Sequence, residues 1–293
     1  MPTGILLLAA LALLWGTNWP AMKLALNEIG PWTFRSVCLV GGGIGLLTIA
    51  RAGGHPLRVA PQERGPLFVA ALFNITGWHI FSAYGLSLIQ AGRAVIIAYT
   101  MPLWAVILGR LLLREPLTPG RILALLLGLA GLAVLIGPEV AALWRTPVGA
   151  LLMLAAALSW GAGTVLVKKG RWTMPTVALT AWQVSLGAVP VVLGQLLLEP
   201  LPSLSQLSLI AVAGTAYATL IGIILCHWAW FKAVRLLPSG VAAIGTLGIP
   251  VVGVLSSGLV LGEPMGAAEF AALGLVLPAL AIVLASPGRA RRE

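Results

Sequence analysis

Aspartate is absent from this 293-residue chain, and charged residues of all kinds make up only 9% of it. Water-soluble domains carry about 25% charged residues, so the composition excludes an ordinary soluble domain and a disordered chain. The two cysteines, Cys38 and Cys226, both lie inside apolar segments. Buried free cysteine behaves as a small apolar side chain, and two such thiols do not make a secreted disulfide scaffold. The sequence therefore predicts no disulfide, no metal site and no cofactor.

The acidic residues are all glutamates, and they fall in loops or near the ends of apolar segments. No carboxylate lies at the middle of a predicted membrane span, so a positively charged cargo has no obvious counter-ion there. The eight are Glu28, Glu63, Glu115, Glu139, Glu199, Glu263, Glu269 and Glu293.

Long apolar blocks are what the chain has in abundance, with 59% hydrophobic residues and a mean hydropathy of +1.02. A transmembrane helix needs roughly 20 mostly apolar residues, so ten helices would use about 200 residues and leave only short loops. The sequence predicts an all-α integral membrane protein embedded in a lipid bilayer. The predicted spans are 3–23, 32–50, 66–88, 93–113, 120–138, 147–169, 175–197, 206–230, 239–261 and 267–285.

The net charge of +10 comes from Lys and Arg residues that lie in pairs and triplets between the apolar blocks. They form no basic stripe, so the charge does not indicate nucleic-acid binding. Counted on alternate sides of the predicted spans, fourteen fall on one side and four on the other. Because Lys and Arg mark cytoplasmic loops, both termini are predicted to be cytoplasmic.

An internal repeat divides the chain into residues 1–145 and 146–293, each with five predicted spans. An odd number of spans makes the second repeat enter the membrane from the opposite side, which gives an inverted-topology repeat with a binding site near the midplane. At a shift of 148 residues, His79 matches His227, Pro102 matches Pro250, Gly92 matches Gly240 and Glu115-Pro116 matches Glu263-Pro264; at a shift of 145, Trp15-Gly16 matches Trp160-Gly161 and Lys23 matches Lys168.

The doubled Trp-Gly and Glu-Pro pairs resemble the EamA-type transporters of the drug/metabolite transporter superfamily, over nearly the whole chain. Within it, the length and the eleven tryptophans are most similar to the YddG-type aromatic amino-acid exporters of bacterial inner membranes. The resemblance implies an inner-membrane exporter of small molecules, among them amino acids. Small multidrug transporters of the same superfamily exchange protons at an intramembrane glutamate. This chain has no glutamate at mid-span, so we expect a neutral or zwitterionic cargo.

Polar side chains inside the spans are the first candidates for a binding site, because an unpaired polar group in hydrocarbon is costly. Asn18 either bonds a neighbouring helix or faces a cavity. His79 either makes a hydrogen bond between helices or contacts cargo. Its repeat counterpart His227 is either a second polar contact for cargo or a residue that matches His79 only in structure. Intramembrane ionisable groups are functional candidates by default, and imidazoles titrate near neutral pH.

Proline kinks give a second indication of a site. Tyr99 lies three residues before Pro102 in the fourth span, and Pro250 repeats this proline in the ninth. Kinked helices at matching positions indicate a transporter site, although an ordinary kink without a ligand is the alternative. The hypothesis assigns cargo stacking to Trp78, Tyr99 and Trp160, and polar contacts to Asn18, His79, Tyr84, Gln183 and His227.

Three cations lie at the edges of the predicted spans. Arg35, one turn inside the second span, is predicted to extend to the membrane interface, and attraction of a substrate carboxylate is the alternative. Lys23 and Lys168 are likewise predicted to extend to the interface. The Glu-Pro pairs are interpreted as helix stops with a charged cap.

Other functions fit the sequence less well. An intramembrane enzyme would need paired aspartates, a Ser/His constellation with an orienting group, or a zinc motif, and the chain has neither H-E-x-x-H nor G-x-S-x-G. A channel would show a charged or carbonyl-lined filter. Proton-coupled export of other metabolites or drugs is the alternative among transporters. The energy source and the oligomeric state are left open.

Overall fold

The computed structural model describes residues 2–141, 147–200, 203, 205, 207–236 and 248–285. Within these ranges every regular element is a helix. In chain order, the helices are α1 (Pro2–Leu26), α2 (Pro31–Ala52), α3 (Pro61–Leu88), α4 (Ala91–Leu113), α5 (Pro119–Ala141), α6 (Val148–Lys169), α7 (Thr176–Leu198), α8 (209–236), α9 (Gly248–Leu261) and α10 (Ala267–Ala285).

Six of the described helices are long and apolar enough to cross a membrane, namely α2, α3, α4, α6, α7 and residues 209–230 of α8. Shorter apolar helices lie in α5, α9 and α10, and α1 has 25 residues. Large apolar side chains such as Leu197, Leu209 and Leu259 are more than 80% exposed, as expected for a surface that faces lipid. The chain is thus an all-helical multi-pass membrane protein, and the count of ten spanning helices stays a prediction.

Proline begins several of the helices, because its missing N–H is not needed in the first turn. Pro31 and Pro61 stand at the first position of α2 and α3, and Pro119 begins α5. At the opposite end, α4 and α9 are each followed by a residue in the left-handed conformation, Arg114 with φ 54° and Gly262 with φ 66°. Such residues end helices. Each directly precedes a Glu-Pro pair, so these two ends match at the shift of 148.

Two helices widen into π-helical turns in their middle sections. The π segment of α3 covers Leu72–Gly77, and that of α8 covers Tyr217–Leu225. Shifted by 148, the first segment falls at 220–225, inside the second. π-helical turns are rare and are frequent at functional sites, so α3 and α8 carry the same uncommon feature at corresponding positions.

A break divides α4 at Tyr99 and Thr100. The helix runs over Ala91–Ala98 and resumes at Met101–Leu113, with Pro102 in the first turn of the second part. The kink predicted at Pro102 is therefore confirmed. Pro250 lies in the first turn of the described part of α9, and residues 237–247, in which that span was predicted to begin, lie outside the described residues.

Helices of each predicted repeat pack against helices of the other repeat. Helix α1 packs against α8 and α9, and α6 packs against α3 and α4. The first helix of each predicted repeat thus contacts the third and fourth helices of the other. Helix α2 packs against α7, and α5 against α10, so each of these helices meets its own counterpart.

Glycine residues allow α1 to lie close to α9, and α6 to lie close to α4. A Cβ atom at Gly16 would lie 3.1 Å from the Gly253 backbone nitrogen, and one at Gly161 would lie 3.0 Å from the Ala105 backbone nitrogen. Gly16 and Gly161 are repeat counterparts, and small residues at helix contacts are typical of membrane bundles. The two glycines thus have the same packing role in the two predicted repeats.

Glutamates at the ends of helices cap the N-termini of other helices. The first turn of a helix leaves backbone N–H groups without partners, and its positive dipole end favours an anion. Glu263 follows α9 and accepts from the Ala91 and Gly92 nitrogens of α4, at 2.7 and 3.0 Å. Hence its carboxylate caps the neighbouring helix α4. Glu199 accepts in the same way from α2, and Glu28 from Ser208 before α8.

Glu115 behaves differently from its counterpart Glu263. It accepts from Arg121 at 3.2 Å and from Lys168 of α6. The Lys168 ammonium, as a hydrogen-bond donor, lowers the pKa of the Glu115 carboxyl below its ordinary value of 4.5. Glu115 therefore ties the end of α4 to the end of α6, and Lys168 is engaged in an ion pair.

Replacing Lys168 by glutamine is expected to lower the free energy of unfolding by about 1 kcal/mol at pH 7, since the pair is partly exposed. Because the folded-state pKa of Glu115 is lowered, its contribution is complete above pH 4.5 and is lost as the pH falls through the folded value. Thermal unfolding in detergent at pH 7 and at pH 4 measures this. Lys169→Gln, one exposed residue along, is the control, and an equal effect of both variants at pH 7 would contradict the prediction.

Candidate functional site

A tryptophan of α1 inserts against the π segment of α8. Trp15 donates its indole N–H to the Gly222 carbonyl oxygen at 2.8 Å. Its ring meets the His227 imidazole edge-on, with 5.7 Å between centroids, and lies 6.4 Å from the Trp230 ring. The carbonyl of a π turn and a histidine of the same helix are thus both held by one residue of the other predicted repeat.

The corresponding contact joins α6 to α3. The rings of Trp160 and Trp78 are 5.1 Å apart in a T-shaped arrangement. Aromatic pairs in this geometry attract by about 0.5–1.5 kcal/mol beyond their area burial. Trp160 is the repeat counterpart of Trp15, and Trp78 directly precedes His79. Each repeat therefore places the tryptophan of its first helix at or beside the histidine position of the other.

The two repeat-related histidines lie close enough to interact electrostatically. They differ in their hydrogen bonds, because His227 Nδ1 is 2.6 Å from the Ile223 carbonyl oxygen of its own helix. His79 Nδ1 is buried and has no hydrogen-bond partner among the described residues. At the break in α4, Tyr99 is near enough to Cys226, the residue before His227 in sequence, for an electrostatic interaction.

Asn18 faces the same region from α1. Its Oδ1 atom is buried without a hydrogen-bond partner in the described part of the chain. A Cβ atom at Gly222 would lie 2.9 Å from that oxygen, so Gly222 leaves room for the amide beside the π segment of α8. An unpaired buried amide oxygen is expensive. A ligand that donates a hydrogen bond is one way to satisfy it.

Gln183 and Tyr84 are placed outside this cluster. Gln183 is buried in α7 and accepts a hydrogen bond of 2.9 Å from the Asn74 amide of α3, so it connects two helices. Tyr84 lies in the last turns of α3 and packs against the apolar core. The structure therefore brings together six of the eight candidates, namely Asn18, Trp78, His79, Tyr99, Trp160 and His227.

Arg35 does not extend to the membrane interface, so that expectation is wrong. Its side chain is buried, with 3% exposure, and points to α3. The Nε–H group donates to the His79 carbonyl oxygen at 3.1 Å, and Nη2 donates to Ser82 Oγ at 3.1 Å. The sequence signal was its position inside a span, where an arginine that is not at the interface must find partners in the bundle.

Lys23 is bound at the end of a neighbouring helix, and its predicted extension to the membrane interface stays a prediction. It donates to the carbonyl oxygens of Leu86, Ser87 and Ile89 at 2.6, 3.1 and 2.8 Å. These carbonyls lie at the C-terminal end of α3, where a cation is favourable. A pocket of about 410 Å³ opens here, lined by Lys23, Arg93, Gln90 and Glu263.

The site as a whole is aromatic and basic. In the described residues, no carboxylate bonds to Arg35 or to either histidine. Aromatic faces, amide and imidazole groups suit the stacking and hydrogen bonding of small organic molecules.

Comparison with known proteins gives the same picture. A sequence model of the EamA-like transporter family matches twice, at residues 2–137 and 147–285. The uncharacterized transporter YvbV of Bacillus subtilis is 30% identical over 286 residues, covering 95% of this chain and 90% of that transporter. A probable amino-acid metabolite efflux pump of Salmonella typhimurium is 25% identical, covering 92% of this chain and 90% of the pump.

A solved crystal structure shares the fold, with a TM-score of 0.68 and 22% sequence identity over 96% of each chain. The family matches together cover nearly the whole sequence, and the helical bundle with a lipid-facing apolar surface agrees with them. This chain is therefore a multi-pass membrane transporter and belongs to the EamA-like transporter family of the drug/metabolite transporter superfamily.

Proposed function

We propose that this transporter exports small neutral or zwitterionic metabolites, amino acids including aromatic ones, across a bacterial inner membrane, as YddG-type exporters do. The observation that carries the proposal is the set of repeat-related aromatic contacts, Trp160–Trp78 and Trp15–His227, together with the unpaired polar atoms of Asn18 and His79. Aromatic rings stack on apolar or aromatic side chains of a cargo, and the unpaired polar atoms bind its polar end.

Transport by alternating access requires two parts that rock against each other. We assign these parts to two five-helix repeats of inverted topology, 1–145 and 146–293, which together give ten spanning helices. Three features support this assignment: the family model matches each half separately, α1 and α6 exchange partners, and the π segments correspond. In such folds the binding site lies at the interface of the repeats, and we assign it to the region of the two histidines.

The similarity to the Salmonella pump supports amino acids as the cargo class. The inventory of the site agrees, since no described carboxylate bonds to Arg35 or to either histidine, and such a site does not favour organic cations. Proton-coupled export of other metabolites is the second candidate, and it draws on the paired histidines, which are groups able to carry a proton near neutral pH.

Uptake of labelled tryptophan and alanine into proteoliposomes tests the proposal. We expect saturable uptake at least about tenfold above empty liposomes, with mutual competition among amino acids and no requirement for an imposed proton gradient. Asn18→Ala with His79→Ala should abolish most of it, because both unpaired polar atoms are removed.

The outcomes separate the candidate functions. Uptake that depends strictly on a proton gradient would favour the proton-coupled alternative, with His79 and His227 as carriers. Absence of uptake for both amino acids in folded protein would contradict the amino-acid proposal. Full activity of the double variant would show that the cargo binds elsewhere.

A further inference from the structure

Arg35 carries a positive charge in the interior of the bundle without an anionic partner. Its side chain is 3% exposed, and the ion pairs among the described residues join Arg93 to Glu269 and Glu115 to Arg121 and Lys168. Glu199, which follows α7, is occupied by the first turn of α2. A buried cation without a counter-charge costs several kcal/mol, so such residues in membrane proteins usually have a function.

The hydrogen bonds of Arg35 leave most of its donors free. A guanidinium has five N–H groups in a planar fork. The His79 carbonyl oxygen takes one and Ser82 Oγ takes another, and the described residues offer no acceptor for the remaining three. The two existing bonds fix the guanidinium against α3. A fork held in this way matches the two oxygens of a carboxylate.

The position of Arg35 places this charge beside the candidate site. Arg35 interacts electrostatically with His79, and His79 with His227. His79 Nδ1 and Asn18 Oδ1 are the unpaired polar atoms of the same region. A cargo at the histidines that carried a carboxylate would therefore meet Arg35, and its ammonium group would have the Asn18 oxygen as an acceptor.

We propose that Arg35 binds the carboxylate of the cargo and so selects amino acids and related carboxylates over amines that lack this group. This deepens the proposed function and rests on it. Since Arg35 is a fixed cation to which no described carboxylate bonds, the site distinguishes cargo by its anionic end, while the tryptophans accept varied side chains.

Competition in proteoliposomes tests this assignment. Labelled tryptophan uptake is measured against 3-indolepropionate, which keeps the carboxylate, and against tryptophanamide, which lacks it. In the wild-type protein we expect 3-indolepropionate to compete about tenfold better. In Arg35→Gln, the KM for tryptophan should rise about tenfold to hundredfold and the preference for the carboxylate competitor should vanish. Arg51→Gln, at the exposed end of the same helix, is the matched control.

A purely structural role of Arg35 would give a different result. Arg35→Gln would then weaken tryptophan uptake and the competition by both compounds equally, or it would leave the preference for 3-indolepropionate over tryptophanamide unchanged. Either outcome overturns the proposal. If Arg35→Gln does not fold, Arg35→Lys carries the test. Lysine keeps the charge but loses the fork, so the carboxylate preference should fall, and an unchanged preference overturns the proposal.

Failure of the proposed function is distinguishable from failure of this inference. If the wild-type protein transports neither tryptophan nor alanine, thermal unfolding in detergent is measured with and without 3-indolepropionate. A rise in the unfolding temperature of the wild type that is absent from Arg35→Gln supports the carboxylate site. No rise in the wild type overturns it.

Discussion

Alanine at Gly163 is expected to destabilise the protein by about 3 kcal/mol, at the upper end of the cost of overpacking. Gly163 of α6 faces the π segment of α3. A Cβ atom there would lie 2.7 Å from the Asn74 backbone nitrogen and would also collide with the Asn74 side chain. Backbone cannot move aside as a flexible side chain does. The substitution also displaces the amide that bonds Gln183.

Thermal unfolding in detergent measures this effect, and we expect a fall of roughly 5 °C for a chain of this size. Gly274→Ala is the matched control, because Gly274 lies inside α10, where a Cβ atom would meet no described atom within 4 Å. That variant should be neutral or slightly stabilised, since alanine is the better helix former. Equal unfolding temperatures for the two variants would refute the close approach of α6 to α3.

Replacing Trp160 by leucine is expected to reduce amino-acid uptake about tenfold or more while the protein remains folded. Leucine loses the T-shaped contact with Trp78 and the aromatic face offered to cargo. An interaction of about 1.4 kcal/mol corresponds to a factor of ten. Trp160→Phe keeps an aromatic ring and should retain most of the uptake.

Trp228→Leu provides the control for loss of a tryptophan. Trp228 lies on α8 next to His227 in sequence, yet it is 39% exposed and contacts Lys232 on the outer surface. Amino-acid uptake by the Trp228→Leu variant should equal that of the wild type. Equal losses in Trp160→Leu and Trp228→Leu would contradict the assignment of Trp160 to the site, and so would full uptake in both.

Helix positions were predictable from the sequence because apolar length and proline placement determine them within a few residues. Pro102, for example, marked the break in α4. Such features depend on local geometry, which the sequence pattern reports directly. The matching of repeats also drew attention to His79 and His227.

Partners of polar side chains were less predictable, because they depend on which helices become neighbours. Gln183 was predicted to contact cargo, and it bonds Asn74 of α3. Arg35 was expected at the interface, and it turns inward to α3. Trp15 was not included in the predicted site, although its counterpart Trp160 was. The repeat relation was the signal that would have added it.

The placement of the glutamates at helix ends has a consequence for the permeability of the membrane around this transporter. The buried Glu63 and Glu269 likewise lie in first turns, so away from the helix ends the described interior carries a fixed positive charge at Arg35 and no fixed negative one. In a medium of low dielectric constant, this charge repels small cations over several ångströms. A sodium ion passing Arg35 would therefore cross an electrostatic barrier, which a cargo that brings its own carboxylate would not.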